Sequence, residues 1–136
     1  MVRASFAKSL DASTSMNYSR RMHDAPMTVV ETPSFLRDAK VKLSDGEREE
    51  LVFFLASKPE SGAIIPGTSG LRKLRWARTG EGKRGGYRVV YYYYSDSLPL
   101  FVIALYGKNE KADLTQAERN QAAKLIDALR RYGRQT

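Results

Sequence analysis

Hydrophobic and polar positions follow two periods along this chain, and the switches between them mark its elements. Thr28-Val29-Val30-Glu31 alternates with period two and is stopped by Thr32-Pro33, which predicts a short edge strand. From Ser34 to Val41 the spacing is helical, with Phe35, Leu36 and Ala39 inward. Ser44-Asp45-Gly46-Glu47 is a capping box, and the helix it opens runs to about Ser57, burying Leu51, Phe54 and Leu55 before Lys58-Pro59 ends it. Pro59 to Gly70, rich in proline and glycine, predicts a loop.

Period two then returns. In Leu71 to Arg78, Leu74 and Trp76 fall on one face and Lys73 and Arg75 on the other. Thr79 to Gly86 is a glycine-rich hairpin loop, and Tyr87 to Tyr94 is a strand with Arg88, Val90, Tyr92 and Tyr94 on one side. Leu100 to Tyr106 is apolar on both faces and so belongs at the sheet centre. Thr115 to Glu118 repeats the capping box and begins a helix to about Tyr132, whose stripe is Ala122, Leu125, Ile126, Leu129 and Tyr132. The order β-α-α-β-β-β-α predicts an α+β fold, an antiparallel meander packed against helices, with one sheet face covered and the other left to cations and tyrosines.

Residues 1–26 lack any period and read as a disordered N-terminal extension to a domain over 27–136. They hold no apolar stretch like a secretory signal; their Arg and Ser content suits an organellar presequence, against which Asp11 and Asp24 count. A start at Met27 is the third reading.

Charge changes this picture. The chain carries a formal +8 at a pI near 9.8. Within Leu71–Lys111, the cations Arg72, Lys73, Arg75, Arg78, Lys83, Arg84, Arg88, Lys108 and Lys111 meet only Glu81, Asp96 and Glu110. The stretch from Met27 to Gly70 has more acidic than basic residues. A field of one sign gathered in one block points to a polyanionic partner.

Absences narrow the chemistry. Without cysteine there is no disulfide, zinc–thiolate site or thiol nucleophile, and the one histidine, His23, lies in the patternless leader. The basic strands lack the carboxylates of a two-metal nuclease. Gly80 to Gly86 joins two strands and opens no helix, unlike a phosphate-cradling loop. The apolar run from Leu98 to Tyr106 is interrupted by Pro99 and far shorter than the roughly 20 residues of a membrane helix, so no membrane association is expected, and the lack of cysteine fits a cytoplasmic location.

Lys73, Arg75, Arg88, Lys108 and Lys111, with Tyr92 and Tyr106, can hold an RNA phosphate and stabilise the charge that builds as a 2′-hydroxyl attacks it. A lysine crowded by cations can also lose its proton more readily. Two blander readings stand beside this one: solvated cations on an exposed sheet, and nucleic-acid contact without catalysis. Tyr91 to Tyr94 can likewise be packing rather than a base-stacking platform.

Three segments, Leu71-Arg-Lys-Leu-Arg-Trp-Ala77, Gly86-Tyr-Arg-Val-Val-Tyr-Tyr92 and Tyr106-Gly-Lys-Asn-Glu-Lys-Ala-Asp-Leu114, resemble the RelE/ParE superfamily of toxins from toxin–antitoxin modules, closest to its HigB-like branch. The resemblance spans roughly Val29 to Tyr132. It implies a RelE-like fold and a ribosome-dependent mRNA endonuclease (mRNA interferase) that cuts the A-site codon without metal or cofactor and leaves a 2′,3′-cyclic phosphate. It implies base and phosphate-orienting roles for Lys73 and Arg75, a scissile-phosphate contact for Arg88, and charge stabilisation or leaving-group protonation for Lys108 and Lys111. Asn109 stands where many relatives have arginine, and a tyrosine they carry near Thr115 is missing; Tyr106 is its candidate substitute. Arg72, Arg78, Lys83, Arg84 and Tyr92 are the expected RNA contacts. The implied partners are mRNA on the ribosome and an antitoxin, a helix-turn-helix HigA-like protein through which alone operator DNA is bound. Two other classes stay open: a ParE-like inhibitor of DNA gyrase and a non-catalytic RNA- or ribosome-binding module.

Overall fold

A computed structural model describes residues 3–6, 26–77, 86–107, 109–110 and 113–135. Its strands are β1 (Arg3–Phe6), β2 (Thr28–Glu31), β3 (Ala63–Ile64), β4 (Leu71–Trp76), β5 (Tyr87–Tyr92) and β6 (Leu100–Gly107). Its helices are α1 (Pro33–Lys42), α2 (Asp45–Ser57) and α3 (Gln116–Gln135). The sheet order is β1-β2-β6-β5-β4-β3, so β6 is internal as its two-sided apolarity predicts.

The meander β4-β5-β6 is antiparallel, but β2 pairs parallel with β6, and β1 and β3 extend the sheet antiparallel at either end. Thr28–Glu31 is therefore not an edge strand: Arg3–Phe6, within the predicted extension, pairs along its outer side. Both helix starts fold as their sequences dictate. At α2, Ser44 Oγ accepts from the Glu47 amide at 3.1 Å while Glu47 accepts from the Ser44 amide at 2.9 Å. Thr115 and Glu118 make the same reciprocal pair, at 3.1 and 2.8 Å. Each pair satisfies two amides that the helix cannot.

Helices cover both sheet faces, which corrects the one-sided sandwich expected from element order. On the first face, Phe35, Ala39, Leu51, Val52, Leu55 and Ala56 of α1 and α2 pack on Val29, Val89, Tyr91, Leu100, Val102 and Leu105. On the second, Ala122 and Ile126 of α3 pack on Leu71, Val90, Tyr92, Ala104 and Tyr106. Alternation assigns Val89 and Tyr91 to one core and Val90 and Tyr92 to the other. Tyr132, placed in the α3 stripe by its spacing, is 58% exposed, and the packed stripe ends at Leu129.

An irregularity in β6 decides the positions that follow. Val90 pairs with Ala104 but Tyr91 with Val102, so Ile103 is an extra residue opposite β5. The bulge reverses the phase of the strand. Leu100 and Val102 face α1 and α2, whereas Ala104 and Tyr106, an even number of residues later, face α3. The backbone of β6 beyond β2 is capped by α1: Thr32 Oγ1 donates to the Val102 carbonyl at 2.8 Å, Ser34 Oγ to that of Ile103 at 2.7 Å, and the Leu105 amide donates to Asp38 at 3.2 Å.

Two buried polar groups tie the rest together. Glu31, fully buried, accepts from Arg48 at 2.6 Å, joining β2 to α2. Tyr91 Oη accepts from the Gly62 amide at 2.7 Å and donates to the Pro59 carbonyl at 2.8 Å, which fixes the loop that leads into β3.

Candidate functional site

Cross-strand register assembles the site. Arg75 on β4 is opposite Arg88 on β5, and Arg88 is opposite Tyr106 on β6, so the three side chains leave one face in a row. Directly opposed residues have β-carbons about 4.5–5.5 Å apart. The next row on the same face is Lys73, Val90 and Ala104. Leu74 and Trp76 are held against the α1–α2 core, and Trp76 stacks obliquely on Phe54 at 5.4 Å, which aims Lys73 and Arg75 the other way.

Two residues not singled out from the sequence complete the cluster. Asp113, just before α3, accepts from Arg119 Nη2 at 3.0 Å and lies 3.9 Å from Lys73 Nζ. Its other local bond, from the Leu114 amide at 2.9 Å, fixes its side chain at the helix approach. The signal for Asp113 was its place in the Tyr106–Leu114 motif; nothing in the polar face of α3 distinguished Arg119.

The electrostatics of this row are unusual for a structural sheet. Two guanidinium groups stand opposite each other, an arrangement that destabilises unless an anion offsets it. Arg88 Nη1 is buried and has no hydrogen-bond partner among the described residues. An unspent buried donor of a charged group costs about 1–3 kcal/mol, and native proteins keep such groups chiefly where function uses them. Tyr106 is 2% exposed, and burial, then the charge of Asp113, raise its phenol above the ordinary tyrosine value against the pull of Arg88. It is therefore a neutral hydroxyl near pH 7, able to donate a proton.

Of the predicted site residues, Lys73, Arg75, Arg88 and Tyr106 share this face. Arg72 does not: it points to the opposite side and donates to the Gly62 and Glu60 carbonyls at 2.8 and 3.2 Å, a loop-bracing role. Tyr92 has the right face but is 2% exposed beneath α3, where its hydroxyl accepts from Arg130 at 3.2 Å; it is core, not a stacking platform. Arg78, Lys83, Arg84, Lys108 and Lys111 lie outside the described residues. The turn after β6 is pinned by Glu110, which accepts from the Gly107 amide at 2.8 Å and pairs with Lys42 at 3.1 Å. Among the described residues no three His, Cys, Asp or Glu side chains group as metal ligands, and no helix is long and apolar enough to cross a membrane.

Residues 27–135 match the model of the family described as the RelE toxin of the RelE/RelB toxin–antitoxin system. The chain belongs to the RelE toxin family. It is the toxin of a toxin–antitoxin module, and an antitoxin is its counterpart. A double-mutant E. coli toxin RelE in the free state is similar over 74% of this chain and 97% of its own, at 24% identity and a TM-score of 0.47. The cationic row lies inside the RelE-matched segment, on strands of the meander that the alternating pattern predicted.

Proposed function

We propose that this RelE-family toxin is a ribosome-dependent mRNA endonuclease of the HigB-like branch that inhibits translation by cutting mRNA in the A site. The observation that carries the reading is the unspent Nη1 of Arg88, between Arg75 and Tyr106, where a phosphate supplies both the missing acceptor and the missing negative charge. Arg75 and Arg88 hold the scissile phosphate and, with Lys73, stabilise the charge that grows on it. The 2′-oxygen forms its bond to phosphorus as the bond from phosphorus to the 5′-oxygen breaks, which leaves a 2′,3′-cyclic phosphate. The departing 5′-oxygen takes a proton from Tyr106, kept neutral by burial. Lys108 and Lys111, following β6, serve the same negative charge. No metal or cofactor takes part in this scheme. The antitoxin is a helix-turn-helix HigA-like protein, through which alone the toxin meets operator DNA, and the toxin acts in the cytoplasm.

The test is induced expression followed by mapping of mRNA 5′ ends. Cuts in phase with codons that vanish in Arg88→Ala support the reading. Gyrase-dependent DNA breaks without mRNA cuts overturn it in favour of a ParE-like activity.

A further inference from the structure

The reaction needs a group that removes the 2′-hydroxyl proton, and the residues of the row are poorly suited to it. Arginine is always charged, and Tyr106 holds its proton more firmly than a free tyrosine. Lys73 already engages a carboxylate, 3.9 Å from its Nζ. Asp113 differs. It carries the carboxylate that meets Lys73, it is part-exposed where Tyr106 is buried, and both of its ion pairs are made by the ionised form, the one able to accept a proton. Glu118, the other carboxylate acting on Tyr106, accepts from the Thr115 amide in the helix cap at 2.8 Å, as Asp113 accepts from the Leu114 amide at 2.9 Å; of the two it is Asp113 that meets Lys73.

We propose that Asp113 is the general base of RNA cleavage by this toxin, a role that rests on the nuclease reading above. In the free chain Asp113 bridges Lys73 of β4 and Arg119 of α3. The Lys73 contact is long and part-exposed, so an incoming phosphate displaces it readily. Lys73 then turns to the phosphate, and Asp113 Oδ1, which keeps its bond from the Leu114 amide, accepts a further hydrogen bond from the adjacent 2′-hydroxyl. Arg119 holds the second oxygen throughout, fixing the carboxylate plane. The proton passes from the 2′-oxygen to Asp113 as the 2′-oxygen attacks phosphorus, and leaves to solvent after the 5′ product departs. Among the described residues, Asp113 meets Lys73 on β4 and Arg119 on α3 and acts on the Tyr106 phenol of β6, which Arg88 on β5 and Glu118 and Arg119 on α3 also influence.

The experiment measures single-turnover cleavage on ribosomes carrying a defined A-site codon, for wild type, Asp113→Asn and Asp113→Ala, with ribosome binding and thermal unfolding followed in parallel. The proposal expects Asp113→Asn to cleave on the order of 10²–10⁴ times more slowly while binding and melting stay near wild type. It expects added imidazole or formate to restore part of the rate to Asp113→Ala, and none to Arg88→Ala, which lacks a phosphate contact rather than a base. If Asp113→Asn cleaves within threefold of wild type, or if no small base rescues Asp113→Ala, the assignment is wrong while the nuclease reading stands. If wild type itself leaves the mRNA intact, both fall. Should Asp113→Asn melt early, Asp113→Glu, which keeps the carboxylate, decides: it must cleave faster than Asp113→Asn.

Discussion

Arg75 and Arg88 stand directly opposite each other across the β4–β5 ladder, with both guanidinium groups on the α3 face. Folding alone gains nothing from this pairing, since like charges directly opposed on a sheet repel. It gains from an anion between them.

Arg88→Met therefore separates stability from activity. Removing one of two opposed cations, along with a buried donor that has no partner, is expected to leave the melting temperature unchanged or raise it by the equivalent of about 1 kcal/mol. The same substitution is expected to slow mRNA cleavage about 10²–10³-fold. Parallel thermal melts and cleavage assays check both; a marked loss of stability would show that Arg88 is structural.

Arg48→Met tests the opposite kind of arginine. It removes one partner of a fully buried carboxylate, Glu31, 2.6 Å away. The expected destabilisation is about 3 kcal/mol, and Glu31→Gln in the same chain is expected to recover part of it by neutralising the buried charge. Urea unfolding of the single and double variants measures this. Cleavage per folded molecule should not change, because the pair joins β2 and α2, away from the cationic row.

Gly62→Ala is expected to destabilise by about 1–3 kcal/mol, because a β-carbon there would stand 2.8 Å from the Tyr91 hydroxyl and 3.1 Å from the Lys73 carbonyl. Tyr91→Phe removes a donor and an acceptor from buried backbone partners and is expected to cost a similar amount. Combining the two should cost less than their sum, since they strain the same contact.

The tyrosines give the pH dependence its sign. Burial raises Tyr91 and Tyr106, and burial with the Asp96 hydrogen bond pushes Tyr93 up to about 12. An acid whose folded value lies above its unfolded one contributes stability that is complete below the unfolded value, about 10, and lost as pH rises past it. Melting temperature should thus fall steeply above about pH 10, with tyrosinate absorbance appearing together with unfolding. Tyrosinate absorbance of all these residues at the ordinary tyrosine value, about 10, in the folded chain contradicts this account.

Much of the arrangement was legible in the sequence because it depends on short-range rules. Alternation alone set Lys73 and Arg75 opposite Leu74 and Trp76, and the two capping boxes marked α2 and α3. What escaped depends on distant partners. Four residues such as Thr28–Glu31 do not encode the direction of the strand beside them, so the parallel pairing with β6 was invisible. Ile103 gave no sign that it would bulge, yet the bulge is what turns Tyr106 toward Arg88. Alternation gave Tyr92 its face but could not say that α3 would close over it. Arg119 joins the site through tertiary contact with Asp113.

The central claim is that this face grips a ribose-phosphate so that the 2′-oxygen attacks its own phosphate. The most direct measurement uses purified toxin and ribosomes programmed with mRNA carrying a single 2′-deoxy nucleotide at the scissile position. The account predicts that the all-ribose message is cut in the A site to a 2′,3′-cyclic phosphate end and that the 2′-deoxy message stays intact. Equal cutting of both messages would contradict it.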